Sequence, residues 1–184
     1  MQALLVMDMQ TPIVGMLGSP AGLLKNVRRA IDGARKNDVP VVFVVVTFRP
    51  GFPEISPDNR MFHAMKDRAA VFAQPGGAAV HPDLGPRDDD IIVVKRRVSA
   101  FAGSDLEIVL RSQGIRHLIL CGIATSGVVL STVREAADRD YRLTVLSDCC
   151  ADMDTEIHNL LLAKIFPRQA EMITADQWLD IRPD

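Results

Sequence analysis

Charged side chains and one glycine-bracketed turn each follow an apolar run of the sequence. Asp8, Arg49, Lys95 and Asp148 stand at or just beyond the ends of four such runs, and residues 122–127 follow another. A carboxylate beside an ammonium group can move a proton to or from a substrate. A guanidinium can hold a substrate carboxylate through two parallel hydrogen bonds. The spacing therefore indicates a small-molecule site if the ends of these runs meet.

The apolar runs are short, rich in β-branched residues and without clean alternation, which is typical of parallel strands covered on both faces. They are residues 3–7, 41–47, 91–94, 117–121, 143–146 and, more weakly, 170–174. Helix-like stretches lie between them, at residues 23–36, 104–114, 126–139 and 155–165. This alternation predicts an α/β fold: an open, doubly wound, mainly parallel six-stranded sheet with helices on both faces. In such sheets ligands bind beyond the carboxyl ends of the strands.

Local signals predict some boundaries and one exception to the rhythm. The sequence Ser104-Asp105-Leu106-Glu107 predicts a capping box that opens a helix ending at Gly114. Pro167 is expected to end the last helix of the series. Residues 51–85 hold several prolines and glycines and are longer than an ordinary connection, as lids and binding loops often are.

The bulk composition bounds the class of protein. With 184 residues, 48% of them hydrophobic, the chain predicts a single globular domain over residues 1–184. A net charge of −2 with scattered basic residues argues against a nucleic-acid partner, and no apolar run approaches membrane-spanning length. The three cysteines, Cys121, Cys149 and Cys150, form no spaced framework, which favours a reduced, cytoplasmic setting.

Four segments together resemble the isochorismatase-like, or cysteine hydrolase, superfamily. Residues 4–10 (Leu-Leu-Val-Met-Asp-Met-Gln) resemble its opening strand with the catalytic aspartate, and residues 94–106 resemble its lysine segment. Residues 122–128 (Gly-Ile-Ala-Thr-Ser-Gly-Val) resemble the turn before its nucleophile helix. Residues 141–151 resemble the strand that follows. The joint pattern is specific, whereas any single segment would be weak.

The resemblance implies roles for individual residues. In cysteine-using relatives the aspartate, here Asp8, deprotonates a thiol, and the lysine, here Lys95, orients the pair and stabilises charge. The nucleophile position is Val128, whose side chain has no lone pair, so amide hydrolysis through a thioester is excluded there. Backbone N–H groups of the turn hold the oxyanion. The implied turn residues are Ile123, Ala124, Thr125, Ser126 and Gly127, and relatives place a non-proline cis peptide within residues 123–125.

Isochorismatases proper also lack the cysteine, and they imply another mechanism. There the aspartate is a general acid that protonates the enolpyruvyl methylene of a vinyl ether, and water captures the oxocarbenium ion to release pyruvate. Asp8 would then need a raised pKa from burial, whereas Lys95 nearby would lower it. We therefore predict a hydrolase of a small carboxylated substrate, with Asp8 as general acid or base, Lys95 beside it and no cysteine nucleophile.

Simpler interpretations of the same residues stay open. Asp8 could cap a turn, and Lys95 could be a solvated lysine at a strand end. Thr125 and Ser126 are expected to cap a helix N-terminus rather than to act as nucleophiles. Arg49 either binds a substrate carboxylate or is an exposed loop residue, and Phe101 either lines the substrate pocket or fills the core. The cysteines are expected to be buried and unreactive.

The sequence also predicts what the protein does without. Zinc-binding relatives carry an aspartate and histidines after the second strand, where this chain has residues 47–52 without either, so we expect no metal and no other cofactor. The family habit predicts a homo-oligomer, a dimer or tetramer. Two other functions stay open: a catalytically silent protein that keeps the pocket, and an amidase with another nucleophile such as Ser126.

Overall fold

The protein is built around a parallel β-sheet. The computed structural model describes residues 1–64, 66, 77 and 79–181. Across these residues six strands pair in the order β3-β2-β1-β4-β5-β6, all in parallel. The strands are β1 Gln2–Met7, β2 Val41–Val46, β3 Ile91–Lys95, β4 His117–Ile123, β5 Arg142–Ala151 and β6 Glu171–Ile173. We call the side where the strands begin the amino end of the sheet and the side where they finish its carboxyl end.

Helices cover both faces of the sheet, as the sequence predicts. In chain order they are α1 Thr11–Val14, α2 Ala21–Lys36, α3 Arg60–Ala64, α4 Leu106–Ser112, α5 Leu130–Asp138, α6 Thr155–Leu160 and α7 Ala175–Asp180. Two separate apolar cores result: α1, α2 and α7 pack on one face, and α4, α5 and the segment after α6 pack on the other. The three-layer α/β/α arrangement is confirmed.

The central strands form where apolar residues are continuous, because they are buried on both faces, whereas the edge strands β3 and β6 are only partly buried. All six residues of β2 (Val-Val-Phe-Val-Val-Val) are buried. The strongest departure from prediction is β5, which was expected to end at residue 146 but continues to Ala151. Its register with β4 shifts, so that Leu120 pairs with Val145 but Gly122 pairs with Cys150. This irregularity accommodates the polar residues 147 and 148 inside a strand that the apolar pattern alone would have ended.

The predicted capping box at residues 104–107 does not form. Ser104 Oγ accepts from the Leu106 N–H at 3.2 Å, but Glu107 pairs with Arg111 rather than reaching back to the start of the helix. The predicted end of this helix is confirmed, since Gly114 follows α4 with a left-handed φ of 63°. A true capping box lies instead at the start of α7, between Thr174 and Gln177.

Close approach of β1 and β4 requires a glycine at the carboxyl end of the sheet. A Cβ atom on Gly122 would lie 2.5 Å from the carbonyl oxygen of Met7, its partner on β1. Part of the irregular segment 51–85, namely residues 65, 67–76 and 78, lies outside the described residues. Among the described helices, none is long and apolar enough to cross a membrane.

Candidate active site

Asp8 lies immediately beyond β1, at the carboxyl end of the sheet. Its backbone N–H donates to the Val44 carbonyl at 2.8 Å, and its φ of 55° lies in the left-handed region, which few residues other than glycine adopt. Gln10 ties the chain down just beyond it, with its side-chain amide bonded to both backbone groups of Val46 and to the Gly77 carbonyl. The chain after β1 is thus held in an uncommon conformation by bonds to neighbouring backbone.

Asp8 and Lys95 form a buried ion pair. Lys95 ends β3, and its side chain passes above the end of β2 to place Nζ 2.9 Å from Asp8 Oδ2. Nζ also donates to the Arg97 carbonyl at 2.9 Å. The side chains are only 10% and 2% exposed, respectively. The predicted proximity of these two residues at the carboxyl end of the sheet is therefore confirmed.

The two carboxylate oxygens of Asp8 differ in their hydrogen bonding. Oδ1 is buried and has no hydrogen-bond partner among the described residues. Burial raises the pKa of Asp8 above its ordinary value, although the charge and hydrogen bond of Lys95 act in the opposite direction. Asp8 thus combines a raised pKa with a free oxygen, the two properties that a group exchanging a proton with a substrate requires.

The turn after β4 lies beside β1, because Gly122 pairs with Met7. The peptide between Ile123 and Ala124 is cis, within the stretch where the resemblance places such a bond. A π-helical turn, Thr125–Val129, then leads directly into α5. Val128 sits in this turn, 2% exposed and packed in the same core as Met7.

Two backbone amides of the turn that the resemblance assigned to an oxyanion are already used. The Ser126 N–H donates to Asp152 Oδ2 at 2.7 Å, and the Gly127 N–H donates to the Ala124 carbonyl at 3.1 Å. A donor held in a short bond to a carboxylate is not available to a substrate, so the assignment of Ser126 and Gly127 is wrong for this conformation. For Ile123, Ala124 and Thr125 it stays a prediction.

The expected capping roles of Thr125 and Ser126 are also wrong. Ala124 occupies the N-cap position, where it makes no side-chain capping bond. The carboxylate of Asp152 receives the Ser126 N–H instead, and the Thr125 hydroxyl lies 2.8 Å from Nδ1 of His158. Sequence reasoning missed both residues, although Asp152 directly follows β5 as Asp8 follows β1; His158 lies further on, within α6.

The environments of these two missed residues differ. Burial acts to raise the pKa of Asp152, but hydrogen bonds from Ser126 and from Asp154 outweigh it and hold the pKa below its ordinary value. Burial lowers the pKa of His158, and the negative charge of Asp152 offsets only part of that effect. Near neutral pH, His158 is therefore uncharged beside a charged Asp152.

Two predicted binding residues make contacts within the protein. Arg49 is 66% exposed, and its Nη1 lies 2.6 Å from Glu54 in the same loop. Phe101 is buried, with its ring 5.9 Å from that of Tyr141 and the Arg139 guanidinium 4.8 Å above it. Since Tyr141 directly precedes β5, these contacts lie towards the amino end of the sheet. Phe101 thus packs in the apolar core, and its part in substrate binding stays a prediction.

Asp148 and the cysteines do not join the site either. Asp148 accepts from the Ala175 N–H at 2.8 Å and so anchors α7 on the opposite face of the sheet. Cys121, Cys149 and Cys150 are all buried, and burial raises the pKa of each thiol, that of Cys150 to about 12. They are poor nucleophiles as they stand.

A cavity of about 480 Å³ lies at the other end of the sheet. Among its lining residues are Trp178, Arg142 and His117. Burial, together with the charge of Arg142, lowers the pKa of His117 to about 4, and its Nε2 lies 2.9 Å from the Thr144 hydroxyl. Over the described part of the chain, no three histidine, cysteine or acidic side chains are grouped to hold a metal ion.

Comparisons with known proteins give one consistent result. A model of the isochorismatase domain matches residues 2–177. The isochorismatase family protein YwoC of Bacillus subtilis (strain 168) is 32% identical over 97% of this chain and 92% of its own length. The ureidoacrylate amidohydrolase RutB of Variovorax paradoxus (strain S110) is 32% identical over 82% of this chain and 69% of its own. The structure of a cysteine hydrolase from Pseudomonas syringae pv. phaseolicola 1448A superposes with a TM-score of 0.88 at 25% identity, covering 97% of this chain and 90% of that one.

Proposed function

This chain belongs to the isochorismatase family, a family of hydrolases, and we propose that it hydrolyses a small carboxylated substrate with Asp8 as general acid or base and without a cysteine nucleophile. The observation that carries the proposal is the buried Asp8, whose Oδ1 has no partner while Lys95 holds Oδ2. A protein that kept this arrangement for stability alone would leave a carboxylate oxygen buried at a cost.

The raised pKa of Asp8 favours the acid mechanism. A protonated Asp8 delivers its proton to the methylene carbon of an enolpyruvyl ether, and the ether oxygen shares the positive charge of the resulting oxocarbenium ion. Water adds to that cation, and collapse of the hemiketal gives pyruvate and an alcohol. Lys95 holds the carboxylate that remains, so that the developing charge is not left uncompensated in a buried site.

Excess positive charge beside the pair supports a carboxylated substrate. Arg49 and Arg96 both approach the Glu54 carboxylate, at 2.6 and 3.4 Å, and Arg97 donates to the Glu54 backbone carbonyl at 3.0 Å. Two guanidinium groups share the Glu54 carboxylate and a third bonds its backbone, so positive charge exceeds negative charge among these four side chains, which favours an anion. The name of the RutB relative is consistent with this class, because ureidoacrylate is itself a carboxylate.

A hydroxyl nucleophile is less well supported. Ser126 is exposed and contacts Asp152, whose lowered pKa makes it a weak base. Thr125 has an imidazole partner but is fully buried, whereas 10% of the Asp8 side chain is exposed. Neither hydroxyl therefore combines access with a competent base.

A substrate panel tests the proposal. Purified protein is assayed with isochorismate, ureidoacrylate, nicotinamide and simple amides, and pyruvate and ammonia release are followed separately. We expect turnover of a carboxylated substrate, lost in Asp8→Asn, and no covalent adduct by mass spectrometry. A lack of turnover across the panel would favour the catalytically silent alternative, and an acyl adduct on Ser126 would favour the amidase.

A further inference from the structure

The outer side of α6 carries a group of exposed apolar residues. None of the six residues of this helix is buried. Among the described residues nine large hydrophobic side chains are exposed, and three of these lie within residues 153–160: Met153, Ile157 and Leu160, at 59%, 44% and 52% exposure. We call these three residues the α6 patch. Hydrophobic residues scattered singly over a surface are ordinary, whereas a group of them indicates a contact surface.

The inner side of α6 is fixed to the rest of the protein. Asp154 caps the helix by accepting from two backbone N–H groups of its first turn, both at 3.0 Å. Nδ1 of His158 lies 2.8 Å from the Thr125 hydroxyl, and the π-helical continuation of α6 buries Leu161. The helix is therefore held from one side, and its outer side is presented to solvent as a preformed surface.

Opposite charges border the α6 patch at equal spacing. Glu156 stands four residues before Leu160 and Lys164 four residues after it, about one helical turn on either side. Both residues are exposed, and neither side chain has an ion pair or a hydrogen bond within residues 1–64, 66, 77 and 79–181. One end of the exposed surface therefore carries an unpaired negative charge and the other an unpaired positive charge.

This arrangement of charges is complementary to itself. In a two-fold symmetric interface both copies use the same surface, so that if residue i contacts residue j, then j also contacts i. Two α6 helices packed antiparallel about Leu160 bring Glu156 of one protomer beside the partner's Lys164, and the reciprocal pair forms on the other side. Apolar residues then meet at the centre and charges pair at the rim, as in other protein interfaces. A partner of another kind would not require opposite charges at equal spacing.

We propose that the chain forms a two-fold symmetric homodimer through α6, with Leu160 at the axis and two reciprocal ion pairs between Glu156 and Lys164. His158 on the same helix contacts Thr125 in the turn after β4, so the partner lies at the edge of the candidate active site. Assembly is measured without a substrate, and the inference therefore does not depend on the proposed function.

Charge reversal in two separate variants tests the pairing. Glu156→Lys and Lys164→Glu each place like charges together at both ends of the interface, so each variant alone should dimerise roughly tenfold or more weakly than the wild type. An equimolar mixture of the two variants brings opposite charges together at both ends, and it should form heterodimers with close to wild-type affinity. With an affinity tag on one variant, native mass spectrometry separates the heterodimer from both homodimers by mass.

A substitution at the centre of the α6 patch tests the apolar contact. Leu160→Asp brings two negative charges together at the two-fold axis, so it should convert the dimer into monomers of 20.2 kDa, or halve the mass of a larger assembly. Ile108→Asp is the matched control, because Ile108 is an equally exposed apolar residue on another helix, α4, and its replacement should leave the mass unchanged. Size-exclusion chromatography with light scattering gives the mass, and circular dichroism shows whether each variant folds.

The outcomes are distinct. A wild type that stays monomeric up to about 100 μM would overturn the inference, since even small specific interfaces associate below that concentration. A dimer that Leu160→Asp leaves intact would overturn it too, because another surface would then hold the dimer. So would a mixture of the charge variants that associates no better than its components. Should Leu160→Asp fail to fold, the mixture carries the test, since only folded protomers form the heterodimer. A dimer without turnover across the substrate panel would defeat the proposed function alone.

Discussion

The two ends of the sheet hold polar side chains in different states of satisfaction. At the amino end, a cavity of about 480 Å³ is lined by Trp178 and Arg142 among others, and its size is in the range usual for ligand pockets. Its buried groups are nevertheless paired: His117 contacts Thr144, whose hydroxyl lies 3.5 Å from Glu171. These buried polar groups therefore have hydrogen-bond partners.

At the carboxyl end the opposite holds. Asp8 keeps a buried oxygen without a partner, and this feature costs stability. Destabilising features of this kind are typical of functional sites. The comparison teaches that cavity size is a weaker guide to a reactive site than a buried polar atom without a hydrogen-bond partner.

The largest expected effect tests the comparison directly. Asp8→Asn should lower turnover roughly 100- to 10,000-fold, because the amide cannot exchange the proton. Arg142→Gln, which removes a cation from the cavity at the amino end, should leave turnover unchanged. Initial rates with the substrate that the panel identifies provide the measurement. Equal losses in the two variants would remove the distinction between the ends.

A second substitution disturbs the backbone on which the carboxyl end rests. Gly122→Ala would place a Cβ 2.5 Å from the Met7 carbonyl oxygen, and Met7 directly precedes Asp8. We expect a loss of about 1–3 kcal/mol in the free energy of unfolding, measured by urea denaturation, together with reduced turnover. Gly22→Ala is the control, since a Cβ there meets nothing within 4 Å. It should leave stability unchanged or raised by up to about 1 kcal/mol.

At the amino end of the sheet, we expect a change of pH to alter the stability of the protein rather than its turnover. His117 has a pKa near 4 in the folded protein and about 6.5 when unfolded, so the unfolded state binds more protons between these values. Stability from this group is present above pH 6.5 and is lost as the pH falls towards 4. His117→Gln should reduce the loss by on the order of 1 kcal/mol, after discounting for partial exposure. Parallel pH profiles for wild type and variant would contradict the assignment.

The smallest expected effect is that of thiol modification, which should not change turnover. Iodoacetamide should leave turnover intact, because the native thiols are buried with raised pKa values. Inactivation of the wild type that substrate protects against would place an essential cysteine at the site.

The sequence was sufficient for the features set by continuous apolar runs. The buried valine-rich β2 and the strand ends that bring Asp8 and Lys95 together follow from hydrophobic pattern and parallel pairing. Asp152 and His158 could not be found in this way. The polar pair Ser147-Asp148 interrupts the apolar run of β5, so the pattern predicts a strand that ends at residue 146 and places Asp148 just beyond it.

The register shift explains that error physically. Because β5 absorbs extra residues opposite Cys121 and continues to Ala151, the residues beyond its true end are Asp152 and those of α6. Whether burial or Lys95 decides the pKa of Asp8 also lay beyond the sequence, since it depends on how completely the ends of three strands exclude water.

The strand order has a consequence for the protein during its synthesis. A growing chain leaves the ribosome with its N-terminus first, so β1 can pair with β2 once residue 46 has been synthesised. Its other neighbour, β4, ends at residue 123, more than a hundred residues after β1. Until then an apolar strand destined for the middle of the sheet offers unpaired backbone to its surroundings, which invites aggregation. Truncated products that end before His117 would keep that strand exposed permanently, and Asp8 would stand at the border of an unfinished sheet.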